Sequence, residues 1–333
     1  MVRVSKDWSY RGKEVVVLEN ARLRVTLLPS SGARVFELVD KATDTDLLWH
    51  HPRRGPEPAV LGSPAADLWW AGGIDDIFPT DFPCLYRNEQ LPYLGELWTN
   101  AWEAAIERDD GNVAEAVFRT RTVISPFEVE KRVRLAEGQS HVAVRYTIRN
   151  IGFSPYDWFF GIHPGIRIEK GFRLILPIEE GVIEDGWPEG ILAAKGTRYR
   201  WPLCPTTNGS VDLRAVPGPE AGWWSFQYGP SLTRPWIGVL DPNRKSAFFM
   251  SFDLSFFPSL LLYLGYGGWR NTYSVIPQIG TGWPGDLAGA IEAGRQRTLG
   301  VDQSMSTEIH LGCLSDVASD AEFGEKLVEF DHF

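Results

Sequence analysis

The chain has 333 residues, of which 44% are hydrophobic and 23% charged, close to the averages of soluble globular proteins, so a sizeable core is expected and disorder is not. A formal charge of −10 opposes binding to nucleic acid, which needs clustered Lys and Arg to displace counterions. The charged opening MVRVSKDWSYRGKEVVV lacks the apolar core of a signal peptide, and the most apolar later stretch, FFPSLLLYLGYGGW, is broken by Pro258 and is too short to span a bilayer. A cytoplasmic location without membrane or nucleic-acid partners is therefore the expectation.

In chain order, apolar and polar positions alternate in RLRVTLLP (22–29), ARVFELVD (33–40), NVAEAVFRT (112–120), FEVEKRVRL (127–135), HVAVRYTIRN (141–150) and STEIHLGCL (306–314), the period of half-buried strands. Short turn signals such as PSSG, AEGQ and DPNRK separate such segments, as in antiparallel hairpins. FFPSLLLYLGYGGW reads as a buried strand. Helical periodicity is confined to PGDLAGAIEAG (284–294), where Asp286 can cap, and to the terminal DAEFGEKLVEF, where Phe323, Leu327 and Phe330 share a face. With no flexible linker and no repeat, residues 1–333 read as one all-β domain, a large antiparallel β-sandwich with a few short helices. The segments 51–101 and 177–235 show little strand pattern and read as long loops, which in a compact domain usually carry function.

Cys84, Cys204 and Cys313 are odd in number and widely spaced, which fits reduced, buried thiols better than a disulfide framework or a zinc knuckle. His50 and His51 lack a matching acid or cysteine spacing, and no P-loop, dinucleotide fingerprint or nucleophile elbow occurs, so neither metal nor cofactor is expected. Fourteen tryptophans are more than packing strictly requires, and aromatic faces are platforms for the C–H faces of sugars.

Four blocks then carry a resemblance. LRVTLLPSSGARVFELVDKATDTDLLW, GGIDDIFPT followed by LPYLGELWTNAWE, FFGIHPGIRI, and IPQIGTGWPGDLAGAIEAG resemble, in order, the motifs of the galactose mutarotase (aldose 1-epimerase) superfamily. They span roughly residues 20 to 312. The resemblance implies a β-supersandwich with a sugar groove on one sheet, a small-molecule carbohydrate as partner, and interconversion of anomers or epimers by an acid and a base on opposite sides of the anomeric centre. It puts His163 at the family's catalytic histidine, as the acid.

Two positions depart from that pattern: Leu94 stands where the family has a histidine, and Gln278 aligns with the family's glutamate base. An amide takes up no proton at neutral pH. Glu96, in the block LGELW, is the expected replacement base. Arg34 and Arg270 are expected to read sugar hydroxyls through their planar donor forks, Asp75 and Asp76 to accept them, and Trp98, Trp269 and Trp283 to stack on the ring. Because of Gln278, a non-catalytic sugar-binding module, or another sugar isomerase or lyase on the same fold, stands beside the epimerase reading.

Overall fold

The computed structural model describes residues 1–63 and 69–328. The strands that position the site are β1 (Leu23–Leu28), β2 (Arg34–Asp40), β3 (Ile74–Ile77), β4 (Val113–Arg121), β5 (Phe127–Ala136), β6 (His141–Asn150), β7 (Gly161–Pro164), β8 (Glu180–Trp187), β9 (Trp223–Gly229), β10 (Trp236–Asp241), β11 (Ser246–Phe252), β12 (Ser259–Tyr266), β13 (Tyr273–Gly280) and β14 (Ser304–Ser315). Strands β1, β2, β3, β7, β13, β12, β9 and β8 run side by side, in that order, in a thirteen-stranded sheet. An eight-stranded sheet contains β4, β5, β6, β14, β11 and β10 in sequence across it. The ladders are antiparallel, and the chain forms the antiparallel β-sandwich expected of its alternating segments.

The local pattern explains each sheet. In FEVEKRVRLA and HVAVRYTIRN every second side chain is buried, because these strands turn one face to the core and the other to water. Both sheets contribute to the main cluster of buried apolar side chains, among them Val129, Val144, Phe248, Leu260 and Ile279. The middle of the first sheet is covered on both faces, which is why SLLLYL reads as a continuous apolar run: Leu260, Leu261 and Leu262 are all buried.

One polar group crosses the core. Lys131 points inward from β5 and its Nζ lies 2.9 Å from Asp76 Oδ2 on β3, while the Tyr146 hydroxyl donates to Asp76 Oδ1 at 2.7 Å and Lys131 also donates to the carbonyl of Ala33. A buried charge is tolerated when it is paired and hydrogen-bonded in this way.

The segments 51–101 and 177–235 differ from the expectation of strand-poor loops, since they contain β3, β8 and β9 as well as Cys84–Tyr86, Glu89–Leu91, Leu203–Thr206 and Gly209–Asp212. In β9 the usual pattern is inverted. Ser225 and Gln227 are buried on the inward side, where Gln227 accepts a hydrogen bond from Tyr199, and Trp224, Phe226 and Tyr228 face outward. The segment PGDLAGAIEAG supplies helix α1 (Leu287–Glu292), with Asp286 accepting the N–H of Gly289 as its cap, and the last helix, α2 (Asp320–Lys326), buries Phe323; Phe330 lies outside the described residues. Cys84, Cys204 and Cys313 are free and buried. Among the described residues no helix is long and apolar enough to cross a membrane.

Candidate functional site

A single row of side chains crosses the outer face of the first sheet. Val35 pairs with Ile74, which sets Arg34 beside Asp75, and Asp75 pairs with His163. Gly161 and Ile162 pair with Gly280 and Ile279, so the same register carries His163 to Gln278. Gln278 pairs with Leu261, and Leu261 with Tyr228. Residues opposite one another in a ladder share a face, so Arg34, Asp75, His163, Gln278, Leu261 and Tyr228 form one continuous band. Over its middle lies a cleft of about 660 Å³, whose lining includes His163, Gln278, Asp81, Leu94, Tyr228 and Arg270. Its walls are unusually aromatic, with Trp49, Trp70, Phe82, Tyr93 and Trp269 among them.

His163 is partly buried. The Trp70 ring meets it edge-on at 5.5 Å between centroids, and its Nδ1 is enclosed with no hydrogen-bond partner among the described residues. Burial pushes the imidazole down to about 3, and the Arg34 guanidinium adds to that effect. At neutral pH His163 is therefore uncharged and holds no imidazolium proton to give, contrary to its expected role as the acid.

Asp81 was not anticipated from the sequence, and it retains a proton to far higher pH than His163 does. Its backbone is clamped from two sides: its N–H donates to the carbonyl of Gly285 at 2.9 Å, and its own carbonyl accepts the N–H of Leu94 at 2.6 Å. The close seating depends on Gly285, where a Cβ would come within 3.0 Å of the Asp81 side chain and 2.8 Å of Leu261. The carboxyl is 3% exposed, and Gln278 donates to its Oδ2 at 3.1 Å. Among the described residues no cation offsets the burial, and the carboxyl is pushed up to about 7, where acid and carboxylate are comparably populated at neutral pH. The available signal was an acid flanked by prolines, Pro79-Thr80-Asp81-Phe82-Pro83, inside an otherwise apolar run.

The other expected residues divide. Gln278 and Arg270 line the cleft, as does Trp269, with the Arg270 guanidinium 5.3 Å from the Trp269 ring centre. Arg34 and Asp75 lie beneath the cleft beside His163, joined by a buried ion pair of 2.7 Å, with Trp70 Nε1 donating to the second Asp75 oxygen at 3.0 Å. They hold the histidine's surroundings rather than reaching into the cleft. Asp76, expected to accept sugar hydroxyls, points the opposite way into the core, as neighbouring strand residues must, and is saturated there by Lys131 and Tyr146.

Glu96, the expected base, does not reach the cleft. It is fully buried and accepts four hydrogen bonds, from the N–H groups of Val123, Ile124 and Ser125 and the hydroxyl of Ser125, at 2.6 to 2.9 Å. It ties the turn between β4 and β5 to its own loop. Trp98, expected to stack on a sugar, is 2% exposed and packed with Ile77 and Phe159; its backbone lies so close to Gly32 that a Cβ there would come within 2.7 Å of it. Trp283 stands behind Tyr228, 5.6 Å between centroids, with the Arg295 guanidinium 4.0 Å from its ring centre. His50 pairs with Asp46 at 2.7 Å while His51 lines the cleft, so the two are not used together, and no group of metal-ligating side chains is found among the described residues.

No model of a known sequence family matches the chain, and no curated protein matches it in sequence. Solved structures do. A protein proposed to be an aldose 1-epimerase from Klebsiella pneumoniae superposes with a TM-score of 0.76 at 13% identity, over 99% of this chain and 87% of that one. The Slr1438 protein from Synechocystis superposes with a TM-score of 0.70 at 17% identity, over 93% and 100%. A galactose mutarotase-like protein from Clostridium acetobutylicum gives 0.64 at 12% identity, over 94% and 99%. The sandwich and these superpositions agree, and the chain has the galactose mutarotase-like fold.

Proposed function

We propose that the protein binds a sugar in the outer cleft of the first sheet and interconverts its anomers, with Asp81 and His163 as the two proton-transfer groups. The observation that carries this reading is the pairing of Gln278 with Asp81: a carboxyl of suitable ionisation stands in direct contact with the amide that occupies the expected base position. Two titratable groups whose surroundings push their ionisation apart identify an acid and a base. From about pH 4 up to neutrality a substantial share of Asp81 carries a proton while His163 is uncharged and can accept one.

The step balances without a co-reactant. Asp81 protonates the ring oxygen, His163 accepts the proton of the O1 hydroxyl, the C1–O5 bond breaks and C1 becomes a carbonyl. C1 turns about its bond to C2. Closure from the other face reverses both transfers and leaves each group in its starting state. The Trp70 ring beside His163 supplies a face for the sugar's C–H surfaces, and burial, to which the Arg34 guanidinium adds, keeps the histidine uncharged.

The test is exchange NMR on a panel of free reducing sugars with catalytic amounts of protein. Accelerated exchange between α and β signals of at least one sugar is expected. Binding with no acceleration for any sugar would overturn the catalytic reading and leave a sugar-binding module.

A further inference from the structure

Strand β9 places Trp224, Phe226 and Tyr228 on the cleft face at alternate positions, and all three line the cleft. Their partners on β12 continue the strip: Tyr263 pairs with Phe226 and stacks on Trp224 at 6.0 Å and 25°, its ring lying over Gly265, the residue opposite Trp224. Trp269 meets Trp224 edge-on at the far end. Tyr228 belongs to the row of Gln278 and His163, whereas Trp224 lies four residues further on, about 13 Å along the strand at ~3.3 Å per residue. That is well beyond the reach of one pyranose ring held by Asp81 and His163. The cleft volume of about 660 Å³ also sits mid-range among pockets of about 300–1,000 Å³ that enclose drug-sized ligands, far more than a free hexose fills.

Charge narrows the occupant further. The cleft lining carries Arg54 and Arg270 but also Glu184 and Asp185, so no single-sign field selects an anion. Glu184 is itself held by Lys195 at 2.5 Å. Aromatic faces at strand spacing with scattered polar groups suit a chain of neutral rings, each offering an apolar face and a rim of hydroxyls.

We propose that the ligand is a neutral reducing oligosaccharide of two or more rings, with its reducing end at Asp81 and His163 and the following rings stacked over Phe226, Tyr263 and Trp224 toward Trp269. This extends the reading of the site given above and rests on it for the position of the reducing end.

The experiment is titration calorimetry of the protein with glucose and galactose, with lactose, cellobiose and maltose and their trisaccharide homologues, and with glucose 6-phosphate. It is repeated with Trp224→Ala and with Trp269→Ala, the latter side chain being 42% exposed and so removable without disturbing the core. At least one di- or trisaccharide is expected to bind tenfold or more tighter than its monosaccharide, and either substitution to weaken that oligosaccharide about tenfold while leaving the monosaccharide unchanged. Equal affinity for one ring and several, indifference of the oligosaccharide to both substitutions, or a preference for the phosphate ester would overturn the inference. Binding is read independently of turnover: tryptophan-dependent oligosaccharide binding without anomer exchange would retain this inference and remove the catalytic one, and anomer exchange by a protein whose oligosaccharide binding ignores both tryptophans would do the reverse.

Discussion

The Nε2 of Gln278 donates to Oδ2 of Asp81 at 3.1 Å, and both side chains are all but sealed from solvent outside the cleft. The amide stabilises the ionised carboxyl, yet burial outweighs it. Gln278→Glu therefore does more than change one group. It sets two carboxyls in contact, which cannot both ionise at neutral pH, so one proton is retained by the pair to higher pH. The expected outcome is an alkaline limb of the pH–rate profile displaced upward relative to wild type, measured by anomer exchange; an unchanged limb would dissociate Gln278 from the titrating group.

Asp81 makes a signed contribution to stability. Its folded value, about 7, exceeds its unfolded value near 3.8, so between these the folded protein binds more protons than the unfolded one and stability declines as pH rises. Above pH 7 the buried carboxylate costs up to about 4 kcal/mol, at 1.36 kcal/mol per pH unit of displacement. Asp81→Asn is expected to melt higher than wild type at pH 8 and at nearly the same temperature at pH 4, in paired thermal melts.

His163 acts in the opposite sense. Its folded value, about 3, lies below the 6.5 of the unfolded chain, so its contribution is present above pH 6.5 and is lost as pH falls toward 3. The two slopes partly offset each other in wild type. His163→Asn is expected to retain more of its neutral-pH stability at pH 4.5 than wild type does, measured by urea unfolding at both pH values.

Glu96 is structural. Glu96→Gln leaves one acceptor where two served four donors and turns an NH₂ toward backbone N–H groups. A loss of about 2 to 3 kcal/mol of stability is expected, with ligand affinity and exchange rate per folded molecule unchanged. A selective loss of turnover with stability intact would return Glu96 to the site.

The fold was legible because strands with one wet face show their period: 22–29, 127–135 and 141–150 coincide closely with β1, β5 and β6. Strand β9 was hidden because its aromatics face the cleft and its polar residues the core, the reverse of the pattern that marks a half-buried strand. His163 and Gln278 were legible as cleft residues from their motif positions, and Arg270 from its place shortly before the last motif. Asp76 and Glu96 misled because a carboxylate in a site-like block reads the same whether it faces the cleft or, as here, saturates core and turn donors. Asp81 was missed because its importance rests on burial without a cation, a property of surroundings brought together from residues 94, 278 and 285.

The most direct measurement is the pH dependence of sugar anomer exchange, by exchange NMR, for wild type and Asp81→Asn, with ligand binding followed in parallel. With Asp81 as the proton donor and His163 as the unprotonated acceptor, the wild-type rate is expected to hold between about pH 4 and 7 and to fall above pH 7. Asp81→Asn is expected to bind sugar as wild type does and to lose roughly 10² to 10⁴ in rate. A wild-type rate that rises through pH 7, or an Asp81→Asn protein that exchanges anomers as fast as wild type, would contradict the account.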